Sequence, residues 1–180
     1  MSARFVVAAL DKKHDRAAFA CGHDRIDRYF HETVAQDVRR QYARCFVATE
    51  RASDQVAGFY TLSSSNVPLN EVPEPLARKL PRYPTVPAVL IGWLARHVDH
   101  AGQGLGEALL FDAIATVANA PIGAHAIFAD AIDDAAASFY AAFGFTPLLA
   151  RPRTLYLPIA TALTLLPVSP GDEVRATASG

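Results

Sequence analysis

An apolar segment, a turn with three alternating glycines and a second apolar segment follow one another in residues 91–110. The glycines are Gly102, Gly104 and Gly106, and the pattern predicts a strand that enters a helix through this turn. Such a turn brings bare backbone N–H groups to the positive end of a helix dipole, where they suit a phosphate or pyrophosphate. The segment therefore favours a strand–helix unit that binds a phosphorylated ligand at its turn.

The spacing of these glycines excludes two common phosphate-binding loops. A P-loop requires Gly-Lys followed by Ser or Thr at the start of the helix, whereas Glu107 and Ala108 follow Gly106 here. The dinucleotide pattern G-x-G-x-x-G would place its third glycine at Glu107 or Leu109. The turn remains compatible with a plain connection between a strand and a helix, or with a phosphate loop of another kind.

Composition limits the class of protein. A chain of 180 residues is expected to form a single domain, here residues 1–166, with residues 167–180 as a loose tail. The formal net charge of −1 argues against direct DNA binding by the chain alone. Cys21 and Cys45 fit buried thiols better than a disulfide framework or a zinc site, so no metal is expected. Without a signal-peptide pattern or an apolar run of transmembrane length, we expect a cytoplasmic protein with no membrane contact.

The predicted elements alternate between strand and helix in the second half, which indicates an α/β domain. The serine run 63–66 is expected to end a strand, and the proline-rich segment 67–87 to form a loop with one short helix, 75–80. Helices are predicted over 24–40, 104–119 and 133–143, and strands over 5–10, 45–49, 56–62, 88–94, 124–130, 145–149 and 154–158.

Two motifs in the second half resemble the GNAT acetyltransferase superfamily. Residues 101–106 match its acetyl-CoA loop, Q/R-x-x-G-x-G/A, although Ala101 stands where Gln or Arg is usual. Residues 136–145 match its helix pattern A-x-x-x-Y-x-x-x-G-F. The resemblance implies an α/β (α+β) fold with a central mixed sheet of six to seven strands, flanked by helices on both faces.

Further segments are similar to the GNAT toxins of type II toxin–antitoxin systems, and the likeness covers about residues 5–166. Members of that group acetylate the α-amine of aminoacyl groups carried on tRNA, which stops translation. They pair with a small antitoxin, usually of ribbon-helix-helix type, and often dimerise. Arg96-His97 departs from the Val-Asp that is more usual there. The likeness is carried by Cys21-Gly22, 26–30, 35–37, 46–48, 60–63, 81–88 and Gly92-x-Leu94-Ala95.

The resemblance also implies roles for individual residues in an acetyl-CoA site. Backbone N–H groups of residues 103–106 would hold the pyrophosphate, and the backbone of residues 94–98 would hold the pantetheine arm. Tyr140 would protonate the leaving thiolate, because a phenol remains protonated near neutral pH. The cofactor-binding residues predicted in this way are Leu94, Ala95, Arg96, His97, Val98, Ala101, Gly102, Gln103, Gly104, Leu105, Gly106, Asp133 and Ser138.

The general base and the acceptor amine stay open. Asp99, Asp130 and Asp133 are candidates for a base, although each also fits a structural role such as a helix cap. An α-amine, with a pKa of about 7.7–8.0, needs less help to lose its proton than a lysine amine at about 10.4. The lack of an obvious base therefore favours an α-amine acceptor, and the resemblance implies that this amine belongs to an aminoacyl-tRNA. The alternatives are a small metabolite or antibiotic amine, and a CoA-binding regulator without catalysis.

Binding of tRNA would require a local basic surface, since the chain is nearly neutral. For the cations near residue 40, a solvated face at the end of a helix is an equally good interpretation. The predicted tRNA contacts are Arg39, Arg40, Arg78, Lys79 and Arg82, to which Arg44, Arg151 and Arg153 could be added if they share one surface.

Overall fold

A seven-stranded mixed sheet forms the centre of the computed structural model, which describes residues 4–167. The strands are β1 (Phe5–Ala9), β2 (Arg44–Glu50), β3 (Val56–Pro68), β4 (Thr85–Arg96), β5 (Ala126–Asp130), β6 (Thr146–Pro147) and β7 (Thr154–Pro158). The helices are α1 (Asp24–Arg28), α2 (Val34–Arg39), α3 (Glu74–Ala77), α4 (Leu105–Ala118), α5 (Asp134–Ala142) and α6 (Ile159–Ala162). The strand order is β1-β2-β3-β4-β5-β7-β6.

All neighbouring strands are antiparallel except β4 and β5, which are parallel. A parallel pair requires a crossover connection, and the glycine turn followed by α4 supplies it. This arrangement confirms the expected mixed sheet of six to seven strands.

Helices cover both faces of the sheet, as predicted. Side chains alternate between the faces along each strand: Ala48 and Tyr60 pack in the core cluster beneath α4, whereas Val47 and Phe59 pack in a second cluster on the other face. Helices α1 and α2, with the turn between them, cover that second face through Ile26, Phe30 and Val34. The core therefore lies in two layers, one on each side of the sheet.

Strands β4 and β5 separate towards their carboxyl ends. Their ladder runs only from the pair Ala88–Ala126 to the pair Ile91–Ala129. Beyond it β4 continues to Arg96 along β3, while β5 ends at Asp130. A gap therefore opens between two parallel strands at the end where α/β sheets commonly bind ligands.

A β-bulge in β4 lies at the start of this gap. Tyr60 pairs with Leu94 and Leu62 with Ile91, so Thr61 alone faces two residues of β4, Gly92 and Trp93. The buried hydroxyl of Thr61 accepts a hydrogen bond from the backbone N–H of Trp93 at 3.1 Å. A bulge leaves a backbone group out of the ladder, and here a side chain replaces the missing partner.

A π-helical turn, Tyr29–Thr33, joins α1 to α2, so residues 24–39 form one continuous helix. The extent agrees with the predicted helix over 24–40, but the wider turn was not predicted. The carbonyl oxygens of Phe30 and His31 accept hydrogen bonds from Arg16 Nη1 at 2.9 and 2.8 Å. The side chain of Arg16 thus satisfies carbonyls exposed by the irregular turn.

The prediction that β3 ends at the serine run is wrong. Residues 63–66 continue the strand, and Ser63, Ser64 and Ser65 pair with Leu90, Val89 and Ala88. The expected proline-rich loop is shorter for the same reason, because both of its ends lie in the β3–β4 hairpin. Pairing with a long partner strand outweighs the low strand propensity of serine.

Smaller differences concern element boundaries and the tail. The strand predicted over 145–149 is only Thr146–Pro147, and α3 covers Glu74–Ala77 rather than 75–80. The predicted tail lies outside the described residues from position 168 onward. Among residues 4–167, no helix has the length and apolar character needed to cross a membrane.

We expect Thr61→Val to destabilise the fold, because the partly buried backbone N–H of Trp93 would lose its acceptor. The cost should be about 1–3 kcal/mol in free energy of unfolding. Urea titration followed by the fluorescence of Trp93, the single tryptophan, measures it. Thr61→Ser keeps the hydroxyl and should unfold close to the wild type. Equal stability of the valine variant would contradict the role given to this hydroxyl.

Candidate functional site

The glycine turn carries the backbone from the end of β4 to α4. Gly102 and Gly104 have φ angles of +71° and +75°, in the left-handed region that favours glycine. A Cβ atom at either position would meet no protein atom within 4 Å. The backbone conformation thus explains both glycines, and the space beside them is open for a ligand to approach.

Free backbone donors line this turn. Within the described residues, the N–H groups of residues 102–107 donate to no protein acceptor. The first N–H groups of α4 have no intrahelical partner and lie at its positive end. The turn therefore presents a row of donors suited to an anion, as the sequence predicted.

The side chain of Gln103 stabilises the turn through two hydrogen bonds. Its carbonyl oxygen accepts a hydrogen bond from Arg4 Nη1 at 2.9 Å, and its amide nitrogen donates to the carbonyl of Asp99 at 3.3 Å. Arg4 also forms an ion pair with Glu50. These contacts connect the turn to the first two strands and leave its backbone N–H groups free.

A cleft of about 300 Å³, here called the first cleft, leads from the turn to Tyr140. It lies where β4 has separated from β5, between the end of β4 and the start of α5. The residues that line it are Cys21, His23, Ile26, Leu94, Ala95, Arg96, Gly106, Ile132, Asp133, Ala135, Ala136, Phe139 and Tyr140. Its walls are mostly apolar, and they bring together the glycine turn, the end of β4 and the tyrosine.

A second cleft, also about 300 Å³, reaches Tyr140 along another set of residues. Here the ring of Trp93 stacks on Tyr29 with centroids 4.3 Å apart, and the guanidinium of Arg25 lies 5.6 Å from the Trp93 centroid. The hydroxyl of Tyr29 donates to Asp37 at 3.0 Å. The lining is Arg25, Ile26, Leu90, Gly92, Trp93, Leu94, Asp130, Ala131, Ile132, Ala136 and Tyr140.

Tyr140 lines both clefts and is only 6% exposed. Its ring packs between Phe139 and Phe145, each with centroids 5.3 Å away. Burial raises the pKa of its hydroxyl well above the ordinary range, and the negative charge of Asp130 raises the pKa further. The phenol therefore keeps its proton, as a proton donor must.

The three candidate carboxylates have different surroundings. Asp133 caps α5 by accepting a hydrogen bond from the N–H of Ala136 at 2.8 Å, and its other oxygen is 3.3 Å from His23 Nε2. Asp99 lies on an exposed turn, with 81% of its side chain accessible. Asp130 alone of the three lines the second cleft.

Several other predicted cofactor-binding residues do not line the first cleft with their side chains. Leu105 is buried in the core, so only its N–H faces the turn. His97 and Val98 are not among the residues that line the first cleft; the Nδ1 atom of His97 accepts a hydrogen bond from the N–H of Asp99. Ala101 and Ser138 are exposed, and neither lines a cleft.

The predicted tRNA contacts are all exposed, but they lie on separate elements. Arg39 and Arg40 are at the end of α2, whereas Arg78, Lys79 and Arg82 lie in the connection between β3 and β4. Three other ion pairs involve these arginines: Arg78 pairs with Glu74, Arg151 with Glu71 and Arg153 with Asp134. Within residues 4–167, Arg39, Arg40, Arg44, Lys79 and Arg82 have no carboxylate partner within 4 Å.

Sequence reasoning missed the residues that shape the second cleft. Arg25 and Tyr29 are four residues apart in the predicted helix, which places them on one face. That spacing was a usable signal, but nothing in it identifies Trp93 as their partner. Thr61 was missed because a bulge partner has no pattern of its own.

Comparison with known proteins gives consistent results. Residues 41–147 match the acetyltransferase (GNAT) domain family. A relative from Sinorhizobium fredii, described as probable toxin TacT, is 31% identical over 175 residues, 92% of this chain and 97% of the relative. A mutant of KacT superposes with a TM-score of 0.83 at 24% identity, over 91% of this chain and 99% of that one. AtaT complexed with acetyl-methionyl-tRNAfMet superposes with a TM-score of 0.81 at 27% identity, over 89% and 98%.

We expect Gly104→Val to abolish CoA binding, because the new side chain would strain a left-handed backbone and fill the space beside the free N–H groups. Ala101→Gln should bind CoA at least as well as the wild type, since position 101 contributes no polar side chain. Isothermal titration with CoA measures both.

Gly123→Val serves as the matched control, because Gly123 is exposed and a Cβ there meets no protein atom within 4 Å. Thermal unfolding checks that each variant is folded. CoA binding that survives Gly104→Val would contradict the placement of the pyrophosphate at this turn.

Proposed function

The chain belongs to the GNAT acetyltransferase family, whose acyl donor is acetyl-CoA, and we propose that it acetylates the α-amine of aminoacyl-tRNA as the toxin of a type II toxin–antitoxin pair. The observation that carries this proposal is the position of Tyr140 between two clefts. A donor and an acceptor can therefore reach one proton-donating group by separate routes. The name of the relative TacT and the tRNA bound to AtaT support this choice of acceptor.

The glycine turn and the first cleft suit acetyl-CoA in shape and chemistry. The free N–H groups of residues 103–106 would bind the pyrophosphate, and Gly102 leaves room for its close approach. Leu94, Ala95 and Arg96, at the end of β4, would hold the pantetheine arm along the first cleft. When bound, the cofactor supplies an acetyl group activated as a thioester.

Tyr140 would then act as the general acid. Tyr140 lines the first cleft, its hydroxyl has no hydrogen-bond partner among the described residues, and burial keeps the phenol neutral. As the acceptor nitrogen forms its bond to the acetyl carbon, Tyr140 donates its proton to the departing sulfur. Tyr140 regains a proton from solvent, and the acceptor nitrogen releases one, so the protons balance.

The proposed function also implies a protein partner, an oligomeric state and a surface that contacts RNA. A translation-blocking toxin needs an inhibitor, and we expect a small antitoxin of ribbon-helix-helix type encoded beside it. We also expect a homodimer in the cytoplasm, where aminoacyl-tRNA is found. The exposed cations Arg39, Arg40, Lys79 and Arg82 are the proposed contacts to RNA phosphates, with Arg78 partly neutralised by Glu74.

We expect expression of this chain alone to arrest growth and that of Tyr140→Phe to be harmless, because the variant cannot protonate the leaving sulfur. Co-expression of the neighbouring open reading frame should relieve the arrest. In vitro, the wild type should transfer labelled acetyl groups to bulk aminoacyl-tRNA, while Tyr140→Phe should lose at least a hundredfold in rate and still bind CoA.

Tyr156→Phe is the matched control, since the buried hydroxyl of Tyr156 has no hydrogen-bond partner among the described residues. That variant should remain toxic and active. Acetylation of small amines but not of aminoacyl-tRNA would instead favour the metabolic acetyltransferase. Full activity of Tyr140→Phe would remove the tyrosine from the mechanism.

The pH dependence follows from the raised pKa of Tyr140. On the acid side, kcat/KM should rise as the acceptor α-amine, with a pKa of about 7.7–8.0, loses its proton. On the alkaline side the rate should stay level past pH 10, because burial keeps the Tyr140 phenol protonated beyond its ordinary range. Initial rates with an amide-linked aminoacyl-tRNA, which resists hydrolysis, test both limbs. A decline centred near pH 9 would contradict this assignment.

A further inference from the structure

The second cleft is lined by apolar side chains together with a few polar and charged groups. Leu90, Ile132 and Ala136 are among its apolar residues, and the stacked ring of Trp93 forms one side. Its charged lining residues are Arg25 and Asp130, and the Tyr140 hydroxyl completes the ionisable groups. Among residues 4–167, Asp130 is therefore the only carboxylate on the lining of this cleft.

The position of Asp130 follows from the sheet. It is the last residue of β5, beyond the final β4–β5 pair at Ala129, so the neighbouring strand no longer covers it. Its Oδ1 atom accepts a hydrogen bond from Thr154 Oγ1 at 2.7 Å, across the β5–β7 ladder where the two residues pair. The Thr154 side chain is buried. One carboxylate oxygen of Asp130 is therefore held in place by a buried hydroxyl group.

The charge of Asp130 is not neutralised within the protein. Among residues 4–167, no basic side chain lies within 4 Å of its carboxylate. Arg25, the cation of the same cleft, stays over the ring of Trp93 instead. The influence of Asp130 on the pKa of Tyr140 indicates that this charge reaches the reacting end of the cleft.

The other two candidate carboxylates, Asp99 and Asp133, do not line the second cleft. Asp133 accepts the N–H of Ala136 and lies beside His23 in the first cleft, and Asp99 is on an exposed turn. An acceptor with an ammonium group that enters the second cleft therefore meets one unpaired negative charge, close to Tyr140. Because Asp130 is exposed at the end of β5, an incoming ammonium group can reach its carboxylate, although water screens part of the attraction between them.

We propose that the second cleft is the acceptor site and that Asp130 binds the α-ammonium group of the aminoacyl acceptor before acetyl transfer. This inference rests on the proposed function, because it takes an aminoacyl group as the acceptor. Asp130 acts by binding and orienting the amine next to Tyr140, and the ammonium proton leaves to solvent before the nitrogen attacks.

The test compares two forms of one tRNA that the wild type acetylates. One form carries the amino acid, and the other carries the matching hydroxy acid, in which a neutral hydroxyl replaces the α-amine. Equilibrium binding is measured near pH 6.5, where the amine is protonated. The wild type should bind the aminoacyl form roughly threefold to tenfold more tightly, as expected for a hydrogen bond between charged groups at an exposed carboxylate.

Asp130→Asn should bind the two forms almost equally, while its affinity for CoA and its thermal stability stay at wild-type values. Asparagine keeps an oxygen for the Thr154 hydroxyl, so the variant removes charge and little else. Asp130→Glu should restore part of the preference. Asp134→Asn is the control, because Asp134 is an exposed aspartate of the adjacent helix that pairs with Arg153 and lines neither cleft.

An unchanged preference in Asp130→Asn would overturn the inference and leave the proposed function intact. Failure of the wild type to acetylate any aminoacyl-tRNA would instead overturn the proposed function itself. A loss of preference in Asp134→Asn equal to that in Asp130→Asn would also overturn the inference, since it would show a general effect of charge.

Discussion

The separation of β4 from β5 is the constraint on which the rest of the site depends. Four residue pairs hold the two parallel strands together, and the ladder then stops at Ile91 and Ala129. The bulge opposite Thr61 lies at the point of separation, and its hydrogen bond to Trp93 keeps β4 attached to β3 while it leaves β5. The gap that results is lined by backbone and apolar side chains, which a continuous sheet would have covered.

Both clefts use this gap, and Tyr140 lies where they meet. Helix α5 places the phenol there, and its start is fixed by the cap from Asp133. Burial raises the pKa of the Tyr140 phenol and keeps it neutral, while Asp130 lines the second cleft. The fold thus keeps a proton donor and a carboxylate close together without an ion pair between them. Their different environments separate the two roles.

The sequence allowed the glycine turn and Tyr140 to be predicted better than the residues that shape the second cleft. Glycines with left-handed backbones and a tyrosine at a fixed distance from Gly144-Phe145 leave local patterns, and the structure brings the turn and Tyr140 to one cleft. The second cleft depends on contacts between distant residues, such as Tyr29 with Trp93 and Asp130 with Thr154. Such pairings have no local signature. The same reason explains the error at residues 63–66, where the partner strand decides the conformation.

The π-helical turn between α1 and α2 has a consequence for how this protein family can diversify. Inserting one residue into a regular α-helix rotates everything beyond it by about 100°. A wide turn absorbs that rotation locally, and Arg16 already satisfies its exposed carbonyls. The exposed positions of the first half, such as Arg25, can therefore change without displacing Ile26, Phe30 and Val34 from the core.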